Sequence, residues 1–441
     1  MVIPLLSPRQ RVAAGLLVAL LAAVGAWVLI RFLSPDPPRS VRMSTGAPDG
    51  AYHQFALKYQ RVLRDNGITL ELRPSSGSVE NLQRLDDGTV AVALVQGGLG
   101  FAAIDPLSDS DGTPLRSLAT VAHEPVWIFS HTLDLSAGLG ALKGKRVAIG
   151  PAGSGNHKLA LQLLTAYGLV DASGRWPAGT ELRDLGGVAA ADALQAHDID
   201  AAIIVAAPQA AAVVQLLNDT GIRLAALDHV DGLARRFPFF QPVVLKHGAI
   251  DPARDLPGRD ITLLSTTANL VVHDDLHPAL AYLLLEAARQ AHAAPGLFNR
   301  AGEFPSPVAT DFPLADEADR YFKNGRPFLQ RYLPFWMANF VQRMLLMLVP
   351  LLAILIPVFR FLPALLHWKE KNRLFHRYGE LKFLENDIAT RDLSAEEKAA
   401  ARARLDAIEA EASKARFPLD FSDRIYTLRQ HVDYVRRRLG H

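Results

Sequence analysis

KRVAIGPAGSGN, residues 145–156, reads as a short strand running into a glycine-rich turn that opens a helix. Such a turn exposes several backbone N–H groups beside the positive end of a helix dipole, which suits an anion. It is not a phosphate-binding P-loop, because Asn156 and His157 stand where that motif requires Lys and Ser/Thr. Nor does it match a dinucleotide fingerprint or the nucleophile elbow GxSxG. The carboxylate of a small solute is the remaining natural guest. The competing reading is a turn that only closes the chain.

Two more stretches have the same character. STGAPDGAY (residues 44–52) lies between a strand pattern and a helix pattern, and SSGSVEN (residues 75–81) again opens a helix. In open α/β sheets ligands bind in the crevice outside the C-terminal ends of the strands, so three such loops argue more strongly than one. Tyr52, Asn81 and Gln96 can supply side-chain hydrogen bonds there.

Outward from these loops, short β-branched runs alternate with amphipathic stretches. Strands are expected at residues 41–44, 68–72, 90–95, 121–130, 146–150, 201–205 and 224–227. Helices are expected at 52–65, 78–86, 156–167, 189–197 and 208–217. This alternation predicts parallel sheets with helices on both faces. The segment from Val41 to about Leu333 exceeds the usual size of one sheet, so two α/β lobes are expected.

Composition narrows the function. With 49% hydrophobic and 21% charged residues, most of the chain is not disordered. A net charge of +2 offers no electrostatic footprint for nucleic acid, which is excluded as a partner. Without cysteine there is no disulfide, thiolate metal site or cysteine nucleophile. His123-Glu124 lacks the second His of HExxH, and no histidine pair has convincing metal spacing. Neither an enzyme nor a cofactor is expected.

Two apolar runs suggest a membrane. Residues 12–33, preceded by Arg9 and Arg11, are long enough to cross a bilayer and read as an uncleaved signal anchor, with a cleaved signal peptide as the alternative. Residues 344–366 form the second run. Phe335, Trp336 and Phe340 precede it, and Trp368, Lys369, Lys371 and Arg373 follow, in keeping with interfacial aromatics and the positive-inside rule. Pro350, Pro357 and Pro363 would kink this span, and an interfacial helix hairpin is its alternative. SPDPPRS, residues 34–40, is a spacer. Beyond the second run, a capping box at Ser394 and Glu397 and a 3-4 alternation of Ile425, Leu428, Val432, Val435 and Leu439 predict a bundle of about three helices.

Taken in order, these loops resemble the TAXI family of solute receptors that work with TRAP transporters. The family's opening TGG-x-GG-x-YY-type loop is matched by TGAPDGAYH, residues 45–53, and its GGSVENL segment by SGSVENL, residues 76–82. HEP at 123–125, LKGKRV at 142–147, GPAGSGN at 150–156 and IDAAIIVAA at 199–207 follow colinearly. FLQRYLPFW, residues 328–336, then a span, resembles the membrane-anchored subgroup.

The resemblance implies an α/β, type II periplasmic-binding-protein-like domain of two lobes, flanked by transmembrane helices and a C-terminal α-helical cytoplasmic bundle. Residues 41–130 and 238–333 would form lobe 1 and residues 131–237 lobe 2, after a cytoplasmic N-terminus (1–11), with the bundle at 367–441. It further implies a small carboxylate or amino-acid ligand, glutamate-like, in the interlobe cleft. Thr45, Gly46, Tyr52, Ser78, Asn81, Gln96, Ser154 and Gly155 would bind it, and Ala207 and Pro208 would line the second lobe's wall. The expected partners are a TRAP-type membrane permease subunit and the lipid bilayer of the bacterial inner membrane, with the main domain in the periplasm.

Three positions depart from the family pattern. Ala47 and Asp49 replace glycines and His53 replaces a tyrosine. A carboxylate at Asp49 would repel a ligand carboxylate unless it meets an amino group, which argues for a zwitterionic or amine-bearing ligand. The alternative function is a membrane-bound sensor that signals through the second span and the helices beyond it.

Overall fold

Strand–helix alternation fills residues 40–324 of the computed structural model, which describes residues 36–100, 115–170, 179–390, 393–414 and 422–440 besides Leu20, Val24, Gly25 and Trp176. The signal anchor expected at 12–33 lies almost wholly outside the described residues. The chain divides into two units, residues 36–340 and a unit containing residues 341–441.

The first unit opens with β1 (Ser40–Gly46), α1 (Ala51–Asp65), β2 (Thr69–Pro74), α2 (Ser78–Asp86) and β3 (Val92–Gln96). β1 lies between β2 and β3, parallel to both. α1 buries Phe55, Ala56, Tyr59 and Leu63 along one stripe, the spacing that puts one helix face on a sheet. Its neighbour is α7 (Pro278–His292), where Tyr59 Oη and His292 Nε2 stand 2.9 Å apart. Every residue of β3 is buried, as befits a strand covered on both faces.

Two long strands then carry the chain between the halves of one sheet. β4 (Leu115–Ser130) pairs with β10 (Ile261–His273) as far as Pro125, and from Val126 it pairs with β7 (Ala201–Val205). The exchange of partners falls at a proline, which has no N–H to give to a ladder. β5 (Arg146–Ala148) runs parallel to β6 (Glu181–Arg183) and to β7, while β8 (Arg223–Leu224) and β9 (Gln241–Leu245) pair with the ends of β4 and β10. The order is β2-β1-β3-β10-β4-β7-β5-β6. The helices of the second half are α3 (Gly155–Ala166), α4 (Gly187–Gln195), α5 (Ala211–Leu217) and α6 (Val230–Arg236).

This is a two-lobed α/β fold with a curled sheet, as the resemblance implies. Its sheet corrects the expectation of parallel strands alone, because β10 is antiparallel to β3, β4 and β9, and β4 is antiparallel to β7. A strand that returns from one half to the other must run against its neighbours. The strand expected at 224–227 shrinks to Arg223–Leu224. Under the second half, Val126, Ile128, Val147, Ile149 and Ile203 pack on Leu159, Leu163 and Leu164 of α3, together with Phe240 and Leu264.

α8 (Asp316–Asn324) and α9 (Phe328–Tyr332) lead to α10, which runs unbroken from Phe335 to Thr390. The span expected at 344–366 falls within this helix, which continues into the C-terminal helical region. Each proline removes one ladder bond from a helix, and the remaining bonds hold it. Among the described residues, Phe335–Ala353 is the stretch long and apolar enough to cross a membrane by length and composition. α11 (Ala395–Lys414) starts at the expected capping box, with Glu397 N donating to Ser394 Oγ (3.2 Å) and Ser394 N to Glu397 Oε2 (2.8 Å). Leu428, Val432, Val435 and Leu439 of α12 (Ser422–Gly440) are buried against Leu405 and Ile408 of α11 and Leu381 of α10.

Candidate ligand-binding site

The loop after β1 turns at Gly46 (φ +75°), whose N–H donates to Ser75 Oγ at 3.1 Å. Ser75 Oγ also accepts from Gly77 N–H (3.3 Å) and donates to Asn81 Oδ1 (2.5 Å). Asn81 is fully used: Oδ1 accepts a second bond from Ser44 Oγ (2.6 Å), and Nδ2 donates to the Leu94 carbonyl (2.7 Å). It ties the loops after β1 and β2 to β3 from behind.

In the second half, Ser154 caps α3 by accepting from His157 N–H (3.1 Å). Asn156 bolts the end of β5 to β7, donating to the carbonyls of Ile149 (2.6 Å) and Ile203 (3.0 Å) and accepting from Val205 N–H. The residue that stands where a P-loop carries its Lys is thus a strand clamp.

The loops from the two halves touch. A Cβ on Gly77 would stand 3.2 Å from Ser154 Cα, and a Cβ on Gly155 would collide with Gln96 Oε1. Glycine at both positions is what lets the backbones approach. Between the loops is a cavity of about 210 Å³. Its walls come from 45–47, 49–52, 76–78, Gln96 and Glu124 on one side, and from Pro151, 154–156, 186–188, 204–206 and 210–212 on the other. The N-termini of α1, α2, α3 and α4 converge on it, and those of α1, α2 and α4 begin at glycines with no side-chain cap. Their N–H groups give the cavity an anion-attracting side.

Of the residues expected from sequence, Thr45, Gly46, Tyr52, Ser78, Gln96, Ser154 and Gly155 line this cavity. Asn81, Ala207 and Pro208 do not. Asn81 is occupied as described, and Ala207 is buried in the core, so the second half's wall is made by 204–206 and 210–212 on either side of that turn.

Sequence reasoning passed over Glu124 and the turn Gly186-Gly187-Val188. The latter is one more glycine-rich strand-to-helix turn, legible by the same rule as the other three. Glu124 is only 2% exposed, in a strand whose neighbours are mostly apolar. Tyr52 Oη donates to its Oε2 at 2.9 Å. Burial pushes the Glu124 carboxyl up to about 8, against the pull of the hydrogen bonds from Tyr52 and Gln96. Tyr52 is pushed well above its ordinary value by burial and then by the neighbouring Glu124 charge. Gln96 donates from Nε2 to the Val205 carbonyl (3.3 Å), while its buried Oε1 has no partner among the described residues.

Among the described residues, no Lys, Arg or His lines the cavity, and no group of His, Cys, Asp and Glu is arranged to hold a metal. The arrangement offers hydrogen-bonding groups and helix ends to whatever occupies the cavity.

Comparison with solved structures returns proteins of low identity. A protein of Bordetella bronchiseptica RB50 is 19% identical, covering 58% of this chain and 71% of its own, with a TM-score of 0.39. The periplasmic aliphatic sulphonate binding protein of Escherichia coli is 16% identical over 58% of this chain and 73% of its own (TM-score 0.35). An amino acid ABC transporter substrate-binding protein of Streptococcus pneumoniae, bound to L-arginine, is 14% identical over 57% and 88% (TM-score 0.35). The model of the NMT1-like family matches residues 43–323, from β1 to α8, and this chain belongs to that family.

Proposed function

We propose that this chain is a membrane-anchored extracytoplasmic solute receptor of a TRAP-type transport system, taking a small carboxylate or amino acid between its lobes. One observation carries the reading. Loops at strand ends from both halves of the sheet close around one cavity, and uncapped helix N-termini point into it. A site shared between halves lets ligand binding favour the closed arrangement by its differential affinity for it. The relatives named for sulphonate and amino-acid binding are in keeping with a small solute. Anchoring by residues 12–33 and 344–366 would keep the receptor at high local concentration beside its permease subunit.

The sensor reading keeps one observation of its own. Helix α10 is unbroken from Phe335, buried in the core of the first unit, into the C-terminal helical unit. Truncation after residue 368 separates the two: intact uptake with no cellular response lost supports the receptor, and lost signalling with intact uptake supports the sensor.

The receptor reading is tested by thermal unfolding of the detergent-solubilised chain against small carboxylates, sulphonates and amino acids. A true ligand at a hundred times its Kd stabilises by about 2.7 kcal/mol. A panel that shifts nothing refutes the receptor.

A further inference from the structure

The floor beside β3 and β4 presents side-chain oxygens of Gln96 and Glu124 to the cavity. Gln96 Oε1 is buried and unpartnered, although Gln96 as a whole is 3% exposed and lines the cavity. Glu124 lies beside it on the same wall, and the one hydroxyl bonded to it, Tyr52 Oη, already spends its proton there. Asp49 lines the cavity beyond them. A buried acceptor without a donor is costly, and a buried carboxyl without a countercharge more so. The four converging helix starts supply only N–H donors, and they sit on the loops, facing where an anion would go. Apart from Asp49, which lines the cavity from the loop before α1, the cavity is polarised, with donors at the loops and acceptors at the floor.

We propose that Glu124 and Gln96 Oε1 form an ammonium-recognition subsite, through which the cavity selects amine-bearing carboxylates over their amine-free counterparts. This rests on the receptor reading and adds to it the group that discriminates. A ligand ammonium donates to Gln96 Oε1 and to Glu124, and its carboxylate takes the N–H groups of the helix starts.

A proton is exchanged in the process. With its carboxyl pushed up to about 8, Glu124 holds a proton in the empty site at pH 7. An adjacent ammonium favours the carboxylate, and the proton leaves to solvent. Among the described residues, the groups around Glu124 offer no rival cation. Tyr52 comes from α1, Asp49 from the loop before it, neutral Gln96 from β3, Thr266 from β10 in register, and Ala206 follows β7. Asp311 acts on Tyr52 and is also acidic. His123, the preceding residue, is turned to Glu303 at 3.3 Å. Binding therefore strengthens as pH rises from 6 to 8, by up to about tenfold per unit.

Titration calorimetry on the full chain in detergent tests this with matched pairs: L-glutamate and glutarate, L-glutamine and glutaramate, L-leucine and 4-methylpentanoate. In at least one pair the amino acid is expected to bind about a hundredfold tighter, the scale of losing one partner of a buried charged pair. Its heat in phosphate and in Tris at pH 7 should differ by the release of most of one proton. Glu124→Gln should shrink the gap below about tenfold and abolish proton release, while the variant's unfolding midpoint without ligand stays at or above that of the parent. If Glu124→Gln proves unstable, Tyr52→Phe, which removes the Oη donor, should still raise the pH at which binding reaches full strength. Amine-free acids that bind as tightly as the amino acids, or a gap that Glu124→Gln leaves intact, overturn the subsite and leave the receptor reading standing. Binding of amine-free carboxylates or sulphonates alone does the same. If no solute binds at all, both readings fall together.

Discussion

At the scale of single residues, Glu124 works against the fold that contains it. An unfolded chain would ionise this carboxyl near 4.5, but burial lifts it to about 8. Between those values the folded state holds a proton that the unfolded state has lost, so stability falls as pH rises through the window. Below pH 4.5 this loss is absent. At about 1.4 kcal/mol per unit, the whole window amounts to roughly 5 kcal/mol. Glu124→Gln should remove the slope, leaving the variant more stable than the parent by about 4 kcal/mol at pH 8 in urea titrations. Parallel pH profiles for the two proteins would show that Glu124 is not the group responsible. Asn81 is the opposite case. Its amide joins Ser44, Ser75 and Leu94. Asn81→Ala should therefore cost about 2–3 kcal/mol of stability, and a change within measurement error would contradict the clamp. Sequence marked Asn81 as a ligand contact because it shows an amide opening a helix beside a glycine-rich loop. It could not show that neighbouring hydroxyls consume the amide. Glu124 was hidden for a related reason: the strand expected at 121–130 runs through it, but a lone carboxyl in a strand does not show that both faces around it are buried.

At the scale of elements, the helices bordering the site were legible from their periodicity and glycine turns, whereas the strand that unites the sheet was not. β10 carries Ser265, Thr266, Thr267 and Asn269 through its middle, all buried, so neither an apolar run nor alternation marks it. Two of these groups find partners far along the chain: Thr266 Oγ1 donates to the Gly97 carbonyl at 2.8 Å and Thr267 Oγ1 to the Ala309 carbonyl at 3.3 Å. Tertiary pairing overrides the local pattern here. The β5–α3 turn is decided by contact rather than by pattern. Gly155 has no left-handed backbone to protect, and its missing Cβ is what admits Gln96 from the other half. Gly155→Ala should overpack that approach at a cost of about 1–3 kcal/mol, relieved when the halves part. The expected result is binding weakened roughly tenfold to hundredfold, with a smaller loss of unliganded stability. Affinity unchanged in calorimetry would mean that the halves need not meet at this point to hold a solute.

At the scale of the whole molecule, the chain consists of two units with separate cores. The cluster of Leu381, Leu405, Ile408, Leu428, Val432, Val435 and Leu439 draws only on the C-terminal helices, and the cavity draws only on residues of the first unit. Leu405 has no exposed surface, so Leu405→Ala should destabilise the helical unit by about 2–5 kcal/mol. Because mutations without shared partners act independently, solute affinity and the ligand-dependent rise in unfolding temperature of the first unit should stay unchanged. Limited proteolysis should then cut the C-terminal helices first while the ligand still protects residues 36–340. The same variant separates the two proposed roles in cells. A receptor that hands solute to a permease needs the cavity and an anchor, so uptake should persist at its parental rate with Leu405→Ala. A sensor needs the helical unit intact to report closure, and would lose its response while still binding solute. Lost uptake at normal expression would show that the C-terminal helices engage the transport machinery themselves, and the receptor would have to be redrawn with them as part of its docking surface.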